Sequence, residues 1–184
     1  YKDYEGAIER VALPSPMPGK PVDVWKVFAE RRSVRDYSQG PPLPLPLLSS
    51  LLFATQGITR REGGFGFRAA PSAGALYPIE TYLLARAVEG LREGFYHFRP
   101  HRFDLELIRP GRYNLALSEA ALQQRVVADA QVTFVWSAVV ARSTWKYRQR
   151  AYRYIYMDVG HIAQNLYLAG TAAGLGVCAI GAFF

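Results

Sequence analysis

The apolar positions of this chain change period several times, and each change predicts an element. Residues 24–30 read as a short helix capped by Asp23. After a proline-rich bend over 40–46, Leu47, Leu48, Leu51 and Leu52 recur at helical spacing, and Gly57 is expected to end that helix. Residues 60–78 hold Gly63, Gly64, Gly66, Pro71, Gly74 and Pro78 and read as loop. From Glu80 the pattern becomes strand-like. Residues 81–85 form a buried strand candidate, and 94–98 and 102–107 a hairpin joined through Arg99, Pro100 and His101. In its second arm Phe103, Leu105 and Leu107 alternate with Asp104, Glu106 and Ile108. Ser118 is expected to cap a helix running through Arg125, and 131–140 is a β-branched and aromatic strand. The longest signal follows. Ile155, Val159, Ile162, Ala163, Leu166, Ala169, Gly170 and Ala173 keep the helical repeat. Gly160, Ala163, Ala169, Gly170, Ala172 and Ala173 are small, which suggests a central helix packed on several sides. Gly174, Leu175 and Gly176 stop it, and 177–180 is expected as a last strand.

Helices, then strands, then a helix and a strand give an α+β fold, with a mainly antiparallel sheet packed with helices. Pro14, Pro16, Pro18 and Pro21 make residues 1–21 an extended N-terminal arm. Residues 22–184 are then one domain. With 184 residues, 50% hydrophobic and 14% aromatic, the chain can bury a core and is not a disordered polypeptide. Cys178 stands alone, which excludes a disulfide framework and a cysteine-based zinc site. No apolar run reaches the roughly 18 residues that span a membrane. The chain begins at Tyr1 with no signal-peptide pattern, so a cytoplasmic location is expected.

The net charge of +7 fits nucleic acid, acidic lipid or a bound phosphate. Only Lys2, Lys20, Lys26 and Lys146 are lysines, and the arginines are dense in two windows. In the first, Arg31, Arg32, Ser33 and Arg35 offer three guanidinium forks and a hydroxyl within five residues at a helix end. That set matches phosphate oxygens, although the helix dipole alone also favours a solvated basic helix end. The second window, 142–154, interleaves basic residues with Trp145, Tyr147, Tyr152 and Tyr154. Such interleaving can bind single strands, but no recognition motif accompanies it and nucleic acid is not expected. Between them, Ala70 to Pro78 is a small-residue loop leading into a strand. Small side chains expose backbone groups that a flat heterocycle needs at its edge, and the same loop can be an ordinary connection. It carries no Walker pattern, and Gly63-Gly64-Phe65-Gly66 follows no strand, so neither nucleotide motif applies. His97 and His101 lie in or beside a hairpin turn, and His161 points away from the apolar stripe. A metal site is not expected, and Cys178 reads as a buried, inert thiol.

These windows, in this order, resemble the nitroreductase-like flavin oxidoreductases, and most closely the SagB-type dehydrogenase branch. The carrying residues are Arg31 to Tyr37, Pro71 to Pro78, Tyr154 to Gly176 around Gly160-His161-Ile162-Ala163-Gln164-Asn165-Leu166, and the Arg10-Val11-Ala12-Leu13-Pro14 arm. The resemblance implies a homodimer with FMN in the subunit interface. It assigns Arg31, Ser33 and Arg35, with Arg32 between them, to the phosphate. It assigns Ser72, Ala73, Gly74, Ala75 and Leu76 to the isoalloxazine ring, and Ile180 and Gly181 to a strand end facing the flavin. It also implies a further C-terminal tail with another basic phosphate contact. In the azoline-oxidising branch a Lys-Tyr pair is implicated in catalysis, and Lys146-Tyr147 resembles it. Neighbouring helical side chains diverge, so both can reach one ligand only from a loop or a frayed helix start, with the regular helix beginning near Tyr154. The implied function is two-electron oxidation of a peptide-derived azoline, beside a cyclodehydratase partner. The alternatives are NAD(P)H-dependent reduction of nitro compounds or quinones, and a flavin-binding module without turnover.

Overall fold

Alternation of apolar and polar side chains builds a five-stranded sheet in a computed structural model that describes residues 1–16, 21–37 and 40–184. Its strands are β1 (Glu9–Ala12), β4 (Ile79–Ala85), β5 (Gly94–Arg99), β6 (Asp104–Pro110) and β7 (Val132–Ala138). They run in the order β1-β6-β5-β4-β7, with every neighbouring pair antiparallel. Registered residues share a face. Val11, Leu105 and Phe98 therefore line one side, and Arg10, Glu106, His97 and Tyr82 the other. Helices α2 (Leu45–Gln56) and α6 (Ala151–Ala172) cover the apolar side, where Leu48, Leu52, Leu83, Phe98 and Leu105 are sealed from solvent. Each such side chain contributes about 1.5–3 kcal/mol on burial.

The N-terminal proline arm joins this sheet through β1, with Leu13 in the core beneath it; Pro18 and Lys20 lie outside the described residues. Helix α1 (Val24–Glu30) starts where expected, because Asp23 accepts a hydrogen bond from Trp25 N at 2.9 Å. Four expectations need correction. The supposed loop contains a hairpin of β2 (Ile58–Glu62) and β3 (Phe65–Arg68). Gly63 and Gly64 both adopt positive φ, the two-residue turn that matches strand twist. Ser118 is not a cap: it lies inside α3 (Asn114–Ala120) and donates to the carbonyl of Gln124, and the chain breaks at Leu122 and Gln123 before α4 (Arg125–Asp129). Residues 177–180 form no strand. Val177 makes a single parallel bridge with Ser33, and Ala179 N instead donates to the Tyr167 hydroxyl at 2.7 Å, so no ladder continues. Finally, α6 begins at Ala151 rather than near Tyr154, and within one chain only one of its faces is buried, through Ala151, Ile155, Asp158, Ile162, Leu166 and Gly170. Its small Gly160 faces open space.

Candidate functional site

The 70–78 loop is pinned from below by a carboxylate. Asp158, 3% exposed on the buried face of α6, accepts from Ser72 Oγ at 2.6 Å and from Ala73 N at 3.1 Å. Ser72 Oγ in turn accepts from Tyr77 N at 2.9 Å. The loop closes tightly: Gly74, Ala75 and Tyr77 all have positive φ, and the last two are not glycine. Backbone of this kind persists only where its surroundings over-determine it.

Above the loop ends α5 (Ala141–Tyr147), which is regular helix up to Arg148, where φ turns to +50°. Lys146 and Tyr147 are therefore neither in a loop nor at a frayed helix start; they form the last turn of a short helix. They nevertheless converge. A Cβ placed on Gly74 would lie 2.6 Å from Tyr147 Oη and 2.7 Å from Lys146 Nζ. The Tyr147 ring also packs on Tyr154, with centroids 4.6 Å apart. The structure thus brings Ser72, Ala73, Gly74 and the Lys146–Tyr147 pair to one place, through a side of Gly74 that only a glycine leaves open.

The arginine window forms a second place. Val34 N donates to Val177 O at 3.0 Å, and Ser33 Oγ lies 3.0 Å from Tyr167 Oη, which accepts from Ala179 N at 2.7 Å. The Arg31 guanidinium stands 5.4 Å from the Tyr167 ring centre. Tyr167 therefore stitches 31–35 to 177–179. Arg32 bends back, its Nη1 donating to the carbonyls of Ala29 and Arg31 at 2.8 Å. Among the described residues, neither Arg31 nor Arg35 has an acidic partner. Ile180 and the half-buried Cys178 pack with Tyr37 against Ala121, Val126 and Val127, and Gly181 is open to solvent. Burial there pushes the Tyr37 hydroxyl up to about 12. The chain does not bring the two places together. Asp158 and Tyr167 are nine residues apart on α6, hence on opposite sides of the helix and separated by roughly 13 Å of rise.

A third group was illegible as a site in the sequence. His97 is not in a turn but in the middle of β5, fully buried, with Nε2 2.8 Å from Glu80 Oε2 and Nδ1 3.2 Å from Glu106 Oε2. Glu80 also pairs with Arg142, whose Nη1 donates to the Tyr77 carbonyl at 3.3 Å. Burial alone would raise the Glu80 pKa, but the His97 hydrogen bond and the Arg142 charge outweigh it and hold the carboxyl below its ordinary value. Asp158 did leave a signal, since it is an acid on the apolar phase of a helix. Tyr167 left none.

No helix among the described residues is long and apolar enough to cross a membrane, and no group of three or more His, Cys, Asp or Glu there could hold a metal ion. The family model described as Nitroreductase family matches residues 28–184. The chain belongs to the nitroreductase family. This nitroreductase-family chain is 42% identical to MJ1384 of Methanocaldococcus jannaschii, which carries the name of a nitroreductase, over 86% of this chain and 78% of that one. It is 33% identical to the trifolitoxin-processing protein TfxB of Rhizobium leguminosarum bv. trifolii and 31% identical to the microcin B17-processing protein McbC of Escherichia coli, each over 59% of this chain. It spans only 30% of TfxB and 42% of McbC. A crystal structure of a Ralstonia eutropha protein, described as a nitroreductase, superposes with a TM-score of 0.73 at 28% identity, over 90% of this chain and 72% of that one. The family marks this member as an oxidoreductase.

Proposed function

We propose that this nitroreductase-family chain is an FMN-dependent dehydrogenase of the SagB type that oxidises peptide-derived azolines. The observation that carries the reading is the convergence of Lys146 Nζ and Tyr147 Oη on the backbone of Gly74. A flavin mononucleotide suits the donors present: Arg31, Ser33 and Arg35 for one phosphate, and the exposed backbone of Ser72, Ala73, Gly74, Ala75 and Leu76 for a flat ring edge, with Ile180 and Gly181 at its border. Bound flavin supplies a two-electron sink. The rest falls to the chain. Oxidising an azoline to an azole also releases a proton from carbon, and Tyr147 Oη takes it in this reading. The Lys146 ammonium offsets the phenolate charge. Asp158 keeps Ser72 and Ala73 from moving away.

Because the phosphate and ring sets lie on opposite sides of α6, the reading needs a homodimer, with each site completed across the interface. Residues 22–184 are its catalytic domain, and 1–21 an arm. TfxB and McbC are processing proteins by name, which supports a processed, peptide-derived substrate. A cyclodehydratase partner and a cytoplasmic location belong to the same proposal. The likeness to MJ1384 favours a second reading, NAD(P)H-driven reduction of nitro compounds or quinones.

Acid release of the chromophore and chromatography test the first reading. FMN is expected; FAD, or no flavin after reconstitution, overturns it. Tyr147→Phe and Lys146→Ala should retain flavin and slow oxidation of a thiazoline peptide by roughly 10²-fold. Wild-type rates in both variants remove the catalytic assignment, and brisk quinone reduction without thiazoline oxidation moves it to the second reading.

A further inference from the structure

The Lys146–Tyr147 helix cannot hold its own direction. Helix α5 has seven residues, about two turns, and isolated helices of that length are not stable in water. Its orientation must come from tertiary anchors. Besides the packing of Tyr147 on Tyr154 of α6, two anchors stand out among the described residues. Ser143 is 2% exposed, and Arg142 reaches inward to pair with Glu80 and to donate to the Tyr77 carbonyl at 3.3 Å. Arg142 and Lys146 are four residues apart, so they lie on one face of α5, one above the other. Whatever fixes the azimuth of Arg142 fixes that of Lys146.

The anchor itself is braced. Glu80 on β4 holds Arg142 with one oxygen and His97 Nε2 with the other, at 2.8 Å. His97 on β5 is 3.2 Å from Glu106 on β6. This row crosses three adjacent strands on the polar side of the sheet, and Tyr4 and Tyr82 pack their rings on His97. It is a stiff support because strands already joined by backbone hydrogen bonds carry it. At its far end Arg142 touches Tyr77, whose positive φ closes the Gly74 loop from one side while Asp158 holds it from the other.

We propose that Arg142 is a positioning residue for the reaction: braced by Glu80, it sets the distance between the Lys146–Tyr147 pair and the Ser72–Tyr77 loop. This inference rests on the catalytic reading of Lys146 and Tyr147. Arg142 touches neither flavin nor substrate in it, so its loss should misplace the reacting groups without removing the cofactor.

The test uses the flavin-loaded full chain with Arg142→Gln and Arg142→Lys. Three measurements are made: flavin content, anaerobic bleaching of bound flavin by a thiazoline peptide, and hydrogen exchange of amides 72–77 and 141–150. Arg142→Gln should keep its flavin, exchange faster in both segments, and bleach about 10- to 10²-fold more slowly at saturating peptide, with the half-saturating concentration little changed. Arg142→Lys, which keeps the charge but not the fork, should recover part of the rate. In a Lys146→Ala/Tyr147→Phe background Arg142→Gln should add less than about twofold, because both groups it positions are gone. A full multiplicative loss in that background, or a wild-type rate and exchange pattern in Arg142→Gln, overturns the inference. If Arg142→Gln is too unstable to hold flavin, Arg142→Lys decides: wild-type rate and exchange there overturn it. Slow Lys146→Ala with normal Arg142→Gln removes the positioning role alone. Wild-type rates in Lys146→Ala and Tyr147→Phe remove both it and the catalytic reading.

Discussion

Glu80 shows how much a single buried carboxylate can be asked to do. It is 5% exposed, and it stays charged because His97 and Arg142 stand at its two oxygens. Its folded pKa lies below the ordinary 4.5, so the unfolded chain takes up the proton first as the pH falls. The stability it contributes is complete above pH 4.5 and is lost as the pH drops through the folded value. Urea unfolding across the acid range should therefore show a steep loss for the wild type. Glu80→Gln should start lower and lose less over the same interval. Acid limbs of equal slope would mean that the pair carries no pH dependence. The same principle separates the arginines. Arg32 satisfies helix-end carbonyls, whereas Arg31 and Arg35 have no acidic partner among the described residues, which is what the proposed phosphate role needs.

At the scale of elements, α6 organises the molecule. One face carries the buried stripe, and a carboxylate set into that stripe, Asp158, turns a core helix into the support of a loop. Its C-terminus is closed by two reversed hydrogen bonds, Leu175 N to Gly170 O at 2.8 Å and Gly174 N to Thr171 O at 3.0 Å. This closure requires a left-handed residue, and Gly174 has φ +72°. A Cβ there would meet nothing within 4 Å, so Gly174→Ala isolates backbone strain from crowding. It should cost about 1–2 kcal/mol in denaturant unfolding. A change near zero would show that the helix end can close in another way. The consequence reaches the arginine window, because Val177, three residues on, is what Ser33 and Val34 bind.

At the scale of the whole molecule, the described residues leave one side of α6 uncovered. Tyr156 is 73% exposed, Met157 51%, and Gly160 between them has open space before it. On α1, Trp25 is 76% exposed and Phe28 49%. Exposed apolar surface of this kind marks interfaces, and small residues let backbones approach closely. In the proposed reading, a second copy against this face joins Arg31, Ser33 and Arg35 of one chain to the Ser72–Leu76 loop of the other. Light scattering should give a dimer at micromolar concentration. Gly160→Arg, which puts a long cation into the uncovered face, should yield monomer and release the flavin together. A folded monomer that retains flavin would end the two-chain site.

Local spacing determined α1, α2, the body of α6 and the hairpin of β5 and β6, because each depends on residues close in sequence: the apolar stripe of 155–170, the alternation of Leu105 and Leu107 with Glu106, the Asp23 cap. The small-residue loop Ser72–Leu76 was legible as a candidate from its composition, whereas Lys146-Tyr147 was a candidate only through the family resemblance. Spacing misled where one residue type serves two structures, so Gly63-Gly64 read as loop instead of a hairpin turn. Only the tertiary structure decided the rest. It set Glu80, His97 and Glu106 in one buried row, because register across three strands unites residues far apart in the chain. It brought a helix end over Gly74, and it put the arginine window on the far side of α6, since which face of a helix meets which segment is settled by packing.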